Sequence, residues 1–170
     1  MRVISALAGL AALAFAHGAA AAPVTVSPVS VSSEFQVKLD EELGAREGET
    51  LRRYASEAVA AALSRAGVGA SATVSIDIVL IDAAPNRPTM EQLADRPGLS
   101  LFGSVSVGGA ELTAMLRGAD GAVLAEVAHR YYTPSLAYVF ESPDTWTDAR
   151  RAIRQFARKV AEAAAGPATP

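Results

Sequence analysis

Residues 100–132, SLFGSVSVGGAELTAMLRGADGAVLAEVAHRYY, decide the fold class, because apolar alternation and turn spacing agree along the stretch. A two-residue turn is predicted at 108–109, where Gly-Gly suits a tight hairpin, and a four-residue turn is predicted at 118–121. These turn lengths pair Leu112 with Val127, and they place the apolar side chains of three strands on one face. The stretch therefore predicts an antiparallel three-strand meander with one buried and one polar face.

Hydrophobic spacing predicts the elements on either side of the meander. A central strand is expected over 73–82, where β-branched residues dominate. Helices are expected over 47–66 and 146–164, where apolar residues recur at helical spacing, and Thr145 suits the N-cap of the second one. The stretch 33–44 favours a short helix, but its apolar residues also alternate as in a strand.

Two other segments are less regular. Pro28 breaks the arm over 24–31, and since proline cannot donate to a strand ladder, we expect an edge strand or an irregular arm. The connection over 83–99 is rich in proline and polar residues. It contains a short helix, which Thr89 and Gln92 begin with a capping-box pattern.

These elements together predict an α+β protein. Because a sheet that is polar on one face must cover its other face, we expect a two-layer sandwich. Its antiparallel sheet would hold about four strands, the meander plus one or two more, packed against two or three helices. No linker divides the chain after the leader, so we expect one domain over 22–166 and a disordered tail at 167–170.

The first residues show the three-part pattern of a secretory signal peptide. Arg2 gives a positive start, an apolar run follows over 3–16, and the alanines at 19–21 suit a cleavage site. The run is shorter than the roughly 20 residues that span a bilayer, so a signal peptide over 1–21 is favoured over a permanent anchor. We expect general secretion into the periplasm, with full secretion as second choice and no stable membrane anchor after cleavage.

Composition narrows the function classes. The 170 residues include no cysteine and 2 histidines, which argues against disulfides, lipid-bearing cysteines and multi-histidine metal sites. A formal net charge of −3 argues against nucleic acid as a partner. The sequence contains no phosphate-binding loop, dinucleotide fingerprint, zinc-protease motif or nucleophile elbow. We therefore expect a protein that is not an enzyme and that takes no cofactor or metal.

Two segments form the predicted binding surface, which comprises Asn86, Arg87, His129, Arg130, Tyr131 and Tyr132. Prolines on both sides stiffen the loop at 86–87, so its amide and guanidinium suit an anion or a carboxylate. In the alternative, Arg87 pairs with Asp82 or Glu91 and only pins the loop. The segment 129–132 either forms the wall of a cleft or covers the sheet end with its rings. His129 is placed on the buried face, where a structural histidine is the more common case.

Charged residues also cluster outside that surface. A basic stripe on the last helix, suited to anionic lipid headgroups, consists of Arg150, Arg151, Arg154 and Arg158. An acidic run over 40–49 offers an alternative, since it could pair with the stripe across two helices. A solvated or internally paired face is the more common outcome for such charges.

The arrangement resembles that of small exported envelope proteins of Gram-negative bacteria. The likeness lies in the export segment, the helix at 47–66, the hairpin LRGADGAVL at 116–124 and the closing helix with Trp146. A meander with this turn and a terminal helix is similar to the auxiliary lipoproteins of envelope transport and assembly systems. This chain departs from them by lacking the lipid-bearing cysteine, so the resemblance implies no membrane anchoring, and it implies no catalytic residue. The use of 13 arginines against 2 lysines also resembles that of high-GC proteobacteria.

We therefore predict a non-enzymatic periplasmic binding or accessory protein of the bacterial envelope, with another envelope protein as partner. The first alternative is a periplasmic protein that binds a small ligand between its helices and its sheet. The second is an envelope hydrolase with His129 as base, which would need a nucleophile and an orienting carboxylate. The oligomeric state is left open.

Overall fold

The computed structural model describes residues 24–68, 74–138 and 144–166, which contain five strands and four α-helices. The strands are β1 (Thr25–Val26), β2 (Ser30–Val31), β3 (Val74–Ala84), β4 (Gly109–Gly118) and β5 (Val123–Tyr132). The helices are α1 (Ser33–Lys38), α2 (Ala45–Arg65), α3 (Met90–Asp95) and α4 (Thr147–Ala165), with a π-helical turn at Leu39–Leu43 and a 3-10 turn at Leu136–Tyr138. The predicted signal peptide at 1–21 and the predicted tail at 167–170 lie outside the described residues.

The sheet is mixed. β3, β4 and β5 are antiparallel neighbours, whereas β1 and β2 both run parallel to β3 along its other edge. The α+β class is confirmed, but the expectation of a purely antiparallel sheet is wrong. The reason lies in the connection, because α1 and α2 carry the chain back along the sheet, and a helical crossover joins strands that run the same way.

The first hairpin of the predicted meander does not form. Residues 100–108 lie outside the strands, and β4 pairs with β3, so that Leu112 lies beside Leu80. The aliphatic side chains of β3 are larger than those of 104–107, where valine alternates with serine, so pairing with β3 buries more apolar surface. The turn predicted at 108–109 is therefore wrong.

The second hairpin is confirmed, with a register two residues away from the predicted one. Its turn lies at 118–121, but Leu112 pairs with His129 and Val127 pairs with Ala114. The backbone N–H of Gly118 donates to the carbonyl of Ala122 at 2.9 Å, so the turn closes one residue later than expected. Because the side-chain period of a strand is two, residues 125–132 keep their predicted faces.

The core lies between one face of the sheet and the helices α2 and α4. Each helix buries an apolar stripe, which includes Leu51, Ala55 and Val59 in α2 and Ile153, Phe156 and Val160 in α4. The sheet contributes Ile76, Ile78, Leu80, Leu112 and Leu116. The opposite face of the sheet carries no helix among the described elements, as expected for a two-layer sandwich.

Two helix starts differ in how well the sequence predicts them. The helical reading of 33–44 is confirmed, because Phe35, Leu39 and Leu43 all point into the core. The N-cap predicted at Thr145 is wrong, since α4 begins after Trp146 and the carbonyl of Thr145 accepts from the backbone N–H of Asn86 at 2.7 Å.

None of the helices in the described ranges is long and apolar enough to span a membrane.

Candidate functional site

A groove between α2 and α4 is the candidate functional site. The two helices run in the same direction, since Glu47 lies beside Trp146 and Tyr54 lies beside Arg150. The groove has a volume of about 480 Å³. Its lining consists of Tyr54, Glu57, Ala58, Ala61 and Arg65 from α2 and Arg150, Ile153, Arg154, Ala157 and Arg158 from α4.

The helix period places three arginines along one wall of the groove. Arg150, Arg154 and Arg158 are spaced four apart, so they follow one row of the surface of α4 beside its buried stripe. Opposite them, Ala58 and Ala61 are short side chains, and they leave space where larger residues would close the gap between the helices. The apolar floor and the cationic wall suit a ligand that has both an apolar part and an anionic group.

The groove carries a net positive charge, because four arginines and a single carboxylate, Glu57, line it. Arg150 forms an ion pair with Asp144, and its guanidinium lies 5.2 Å from the centre of the Tyr54 ring. Among the described residues, neither Arg154 nor Arg158 has an ion-pair partner, and the same holds for Arg65 on the facing helix. Like charges at a spacing of four destabilise a helix by a few tenths of a kcal/mol per pair, so a bound anion would relieve repulsion.

The acidic run does not neutralise this stripe within the described residues. Glu47 accepts from the indole Nε1 of Trp146 at 2.6 Å, Asp40 accepts from Gln36 at 2.9 Å, and Glu42 lies 3.8 Å from Arg96. None of the described ion pairs joins the acidic run to the basic stripe, so the predicted alternative, in which the two pair with each other, is wrong. A cationic groove remains on a chain whose formal net charge is −3.

Asn86, the first residue of the predicted binding surface, is buried. Its exposed fraction is 0%, and its Nδ2 donates to Oδ2 of Asp148 at 2.6 Å. Its Oδ1 accepts from the backbone N–H of Asp148 at 2.9 Å, while its backbone carbonyl accepts from the N–H of Ser106 at 2.9 Å. Asn86 thus connects the end of β3, the loop before β4 and the first turn of α4.

Arg87 reaches over the neighbouring loop. Its Nη1 donates to the carbonyl of Phe102 at 2.8 Å, and the Phe102 side chain is 83% exposed. Asp82, one of the predicted partners of Arg87, is engaged by other groups, since it accepts from Lys38 at 2.8 Å and from the Tyr132 hydroxyl at 2.6 Å. Arg87 therefore connects its own loop to the loop that carries the exposed Phe102 ring.

The residues of the segment 129–132 divide between the two faces of the sheet. On the helix face, Nε2 of His129 lies 3.0 Å from Oε1 of Gln155, and the Tyr131 ring lies under Arg151 at 5.3 Å. On the open face, Arg130 lies 3.2 Å from Glu111, and Tyr132 donates to Asp82. The six predicted residues therefore do not share one surface, and their part in binding stays a prediction.

The surroundings of His129 and Tyr132 shift the pKa of each side chain in the direction that favours its neutral form. Burial, together with the positive charge of Lys159, holds the pKa of His129 below its ordinary value. Burial and the neighbouring Asp82 raise the pKa of Tyr132 far above its usual range. No carboxylate orients His129 in the contacts described, and no group of metal-ligating side chains occurs in the described part of the chain.

A second concavity lies on the open face of the sheet. Its volume is about 630 Å³, and its lining includes Asp77 and Arg117, which lie 3.9 Å apart. These opposite charges offset each other and Glu126 adds a carboxylate to the lining, so this concavity lacks the positive charge that distinguishes the groove. The sequence indicated the arginine stripe of the groove but not its second wall, since nothing local shows that α2 and α4 lie side by side.

Comparison with known proteins finds no relative. No protein-family model matches the chain, and no curated protein and no solved structure matches it either.

Proposed function

We propose that the protein is a non-enzymatic binding protein of the bacterial cell envelope that holds an anionic amphiphile in the groove between α2 and α4. One observation carries the proposal, namely that Arg65, Arg154 and Arg158 line one groove without an ion-pair partner among the described residues. Arginine suits phosphate and carboxylate groups, because its planar fork donates two parallel hydrogen bonds.

The floor of the groove indicates why the ligand would also carry an apolar part. Ala58 and Ala61 offer a short strip of aliphatic surface opposite the arginines, above the buried Ile153 and Ala157. An inorganic anion would leave this strip in water, whereas a short alkyl chain would cover it at a gain of about 25 cal/mol per Å². A phosphate or carboxylate head on an alkyl chain meets both parts of the lining.

The binding experiment compares anions on the protein purified after expression of the full chain. Calorimetric titrations use dodecyl phosphate below its critical micelle concentration, inorganic phosphate and dodecylphosphocholine. The double variant Arg154→Gln/Arg158→Gln tests the groove. The double variant Arg151→Gln/Lys159→Gln is its matched control, because it removes the same charge from exposed positions outside the groove lining on the same helix.

We expect dodecyl phosphate to bind more tightly than the other two probes. Losing two charge-assisted hydrogen bonds should weaken this binding at least about tenfold in the groove variant, since tenfold corresponds to only 1.4 kcal/mol. The control variant should bind within about threefold of the wild type. Equal affinities of the groove variant and the wild type, or the absence of binding to dodecyl phosphate, would overturn the proposal.

The envelope location has its own test. Cell fractionation should place the protein in the periplasm with an N-terminus near Ala22, whereas a cytoplasmic, unprocessed chain would contradict this part of the proposal.

A second candidate function is docking to another envelope protein through the loop that Arg87 supports. The exposed ring of Phe102 favours it, since large exposed aromatic groups often anchor protein interfaces. A photo-crosslinking amino acid at position 102 should give one discrete adduct in cells, and the same group at Ser64 on α2 should give none. No adduct at position 102 would remove this candidate.

A further inference from the structure

The outer edge of β5 is open. In the sheet order, β5 is the last strand, and within the described ranges β4 is the only strand that pairs with it. It extends over ten residues without a proline, and Leu124 near its start is 60% exposed. An unpaired edge presents a row of backbone N–H and C=O groups that can pair with another strand.

We propose that β5 joins a second copy of this chain, strand against strand, across a two-fold axis that passes midway between the Ala128 residues of the two copies. Such an axis stands perpendicular to the sheet and makes the two β5 strands antiparallel neighbours in one continuous sheet. The contact is isologous, so each pair of residues occurs twice. It does not involve the groove between α2 and α4, and it is independent of the proposed function.

Charge complementarity selects this register. With the axis at Ala128, Glu126 of one copy lies opposite Arg130 of the other, and both side chains point to the open face of the sheet. An axis one residue earlier would place Glu126 opposite Ala128, and an axis one residue later would place it opposite Tyr132. Only the central register gives two ion pairs between copies.

The surroundings of Glu126 and Arg130 are compatible with an ion pair between the two copies. Glu126 is exposed and makes no ion pair with a described residue, so it is available to a partner. Arg130 is exposed as well and lies 3.2 Å from Glu111 of its own chain. In the pair of copies, Arg130 would lie between two carboxylates, while the small side chain of Ala128 on the axis allows the backbones to approach.

The size of the contact determines the expected strength. One pair of strands buries less surface than the roughly 1,200 Å² of a standard stable interface, so we expect a dimer that dissociates at micromolar concentrations. Sedimentation velocity over a range of concentrations should therefore show a shift from monomer to dimer for the wild type.

Charge reversal tests the register directly. Glu126→Arg and Arg130→Glu should each weaken self-association at least about tenfold, because each places like charges opposite each other at two symmetric positions. An equimolar mixture of the two variants should dimerise again, because each Arg then faces a Glu. The variant Glu49→Arg, an exposed reversal on α2, should dimerise as the wild type does. Circular dichroism checks that every variant is folded.

A disulfide provides a second measurement that does not depend on charge. The chain contains no cysteine, so Ala128→Cys introduces a single thiol that faces itself across the axis. Opposite Cα atoms in antiparallel strands are about 4.5–5.5 Å apart, which a disulfide can bridge. Mild oxidation should link Ala128→Cys into dimers much faster than the exposed control Ala60→Cys.

Each outcome decides the proposal. Concentration-dependent dimers, loss in both single variants, recovery in the mixture and selective crosslinking at position 128 support it. A wild type that stays monomeric up to about 1 mM, variants that dimerise as the wild type does, or equal crosslinking at positions 128 and 60 would overturn it.

Discussion

Replacing Asn86 by alanine removes the side chain that links three separate segments of the fold. The variant loses the bond from Nδ2 to Asp148, which measures 2.6 Å, and the acceptor for the Asp148 backbone N–H, which measures 2.9 Å. The backbone bonds of residue 86, to Thr145 and from Ser106, do not require the side chain. The change therefore isolates the contribution of the amide group.

Burial determines the magnitude. Asn86 is 0% exposed and Asp148 is 7% exposed, so little water can replace the lost partner. A hydrogen bond to a charged group contributes about 1.5–3 kcal/mol, a neutral one about 1 kcal/mol, and the vacated space adds to the loss. We expect Asn86→Ala to lower the free energy of unfolding by about 3 kcal/mol.

Urea unfolding measures this difference. The chain has one tryptophan, Trp146, which lies 4% exposed at the start of α4 and whose fluorescence reports on unfolding. Gln36→Ala is the matched control, because Gln36 donates to Asp40 at 2.9 Å in an exposed position. An exposed amide–carboxylate bond should contribute less than about 0.5 kcal/mol. If Asn86→Ala is no less stable than Gln36→Ala, Asn86 does not hold the segments together.

Two other changes test the packing around the helices. Trp146→Phe removes the indole hydrogen bond to Glu47, which measures 2.6 Å. The free energy of unfolding should fall by about 1–2 kcal/mol, and the melting temperature of the variant should fall with it. An unchanged melting temperature would contradict this. For His129, burial and Lys159 hold the folded pKa below the ordinary value of 6.5, so the unfolded chain binds the proton first. The stability that this provides is fully present above pH 6.5 and is lost as the pH falls below it. The wild type should therefore lose more stability than His129→Gln between about pH 7 and pH 5, and parallel stability curves would refute this.

Local patterns in the sequence predict most of the elements of this fold. The spacing of Phe35, Leu39 and Leu43 predicts a helix, and these residues are buried together. The turn at 118–121 is predicted from its composition and is found there. Both patterns depend on neighbours within a few residues, which is why the sequence alone reveals them.

Pairing between distant strands leaves no such local pattern. The glycines at 108 and 109 predict a turn, but the structure requires them for space. A Cβ on Gly108 would lie 2.5 Å from Oδ1 of Asn86, and a Cβ on Gly109 would collide with the backbone carbonyl of Tyr131. Glycine permits a turn and a close approach equally well, so its presence cannot distinguish the two.

In the candidate site, too, the sequence predicts the features that depend on one helix but not those that depend on the packing of two. The periodicity of α4 predicts the row of Arg150, Arg154 and Arg158, since it needs only the helix itself. Arg65 and Tyr54 become part of the site because α2 packs beside α4. That packing follows from the parallel return of the chain to β3, which no local pattern in the sequence indicates.

The broken arm of β1 and β2 limits how many molecules can join through their sheets. The arm occupies the outer edge of β3, and Pro28 within it has no N–H to offer to a further strand. Because only the edge of β5 is then open to the proposed contact, each molecule can join one other copy, and the assembly would end at a dimer. A chain without the arm would be divalent, and divalent units add end to end into open filaments. The seven residues from Thr25 to Val31 would thus limit the proposed assembly to two copies.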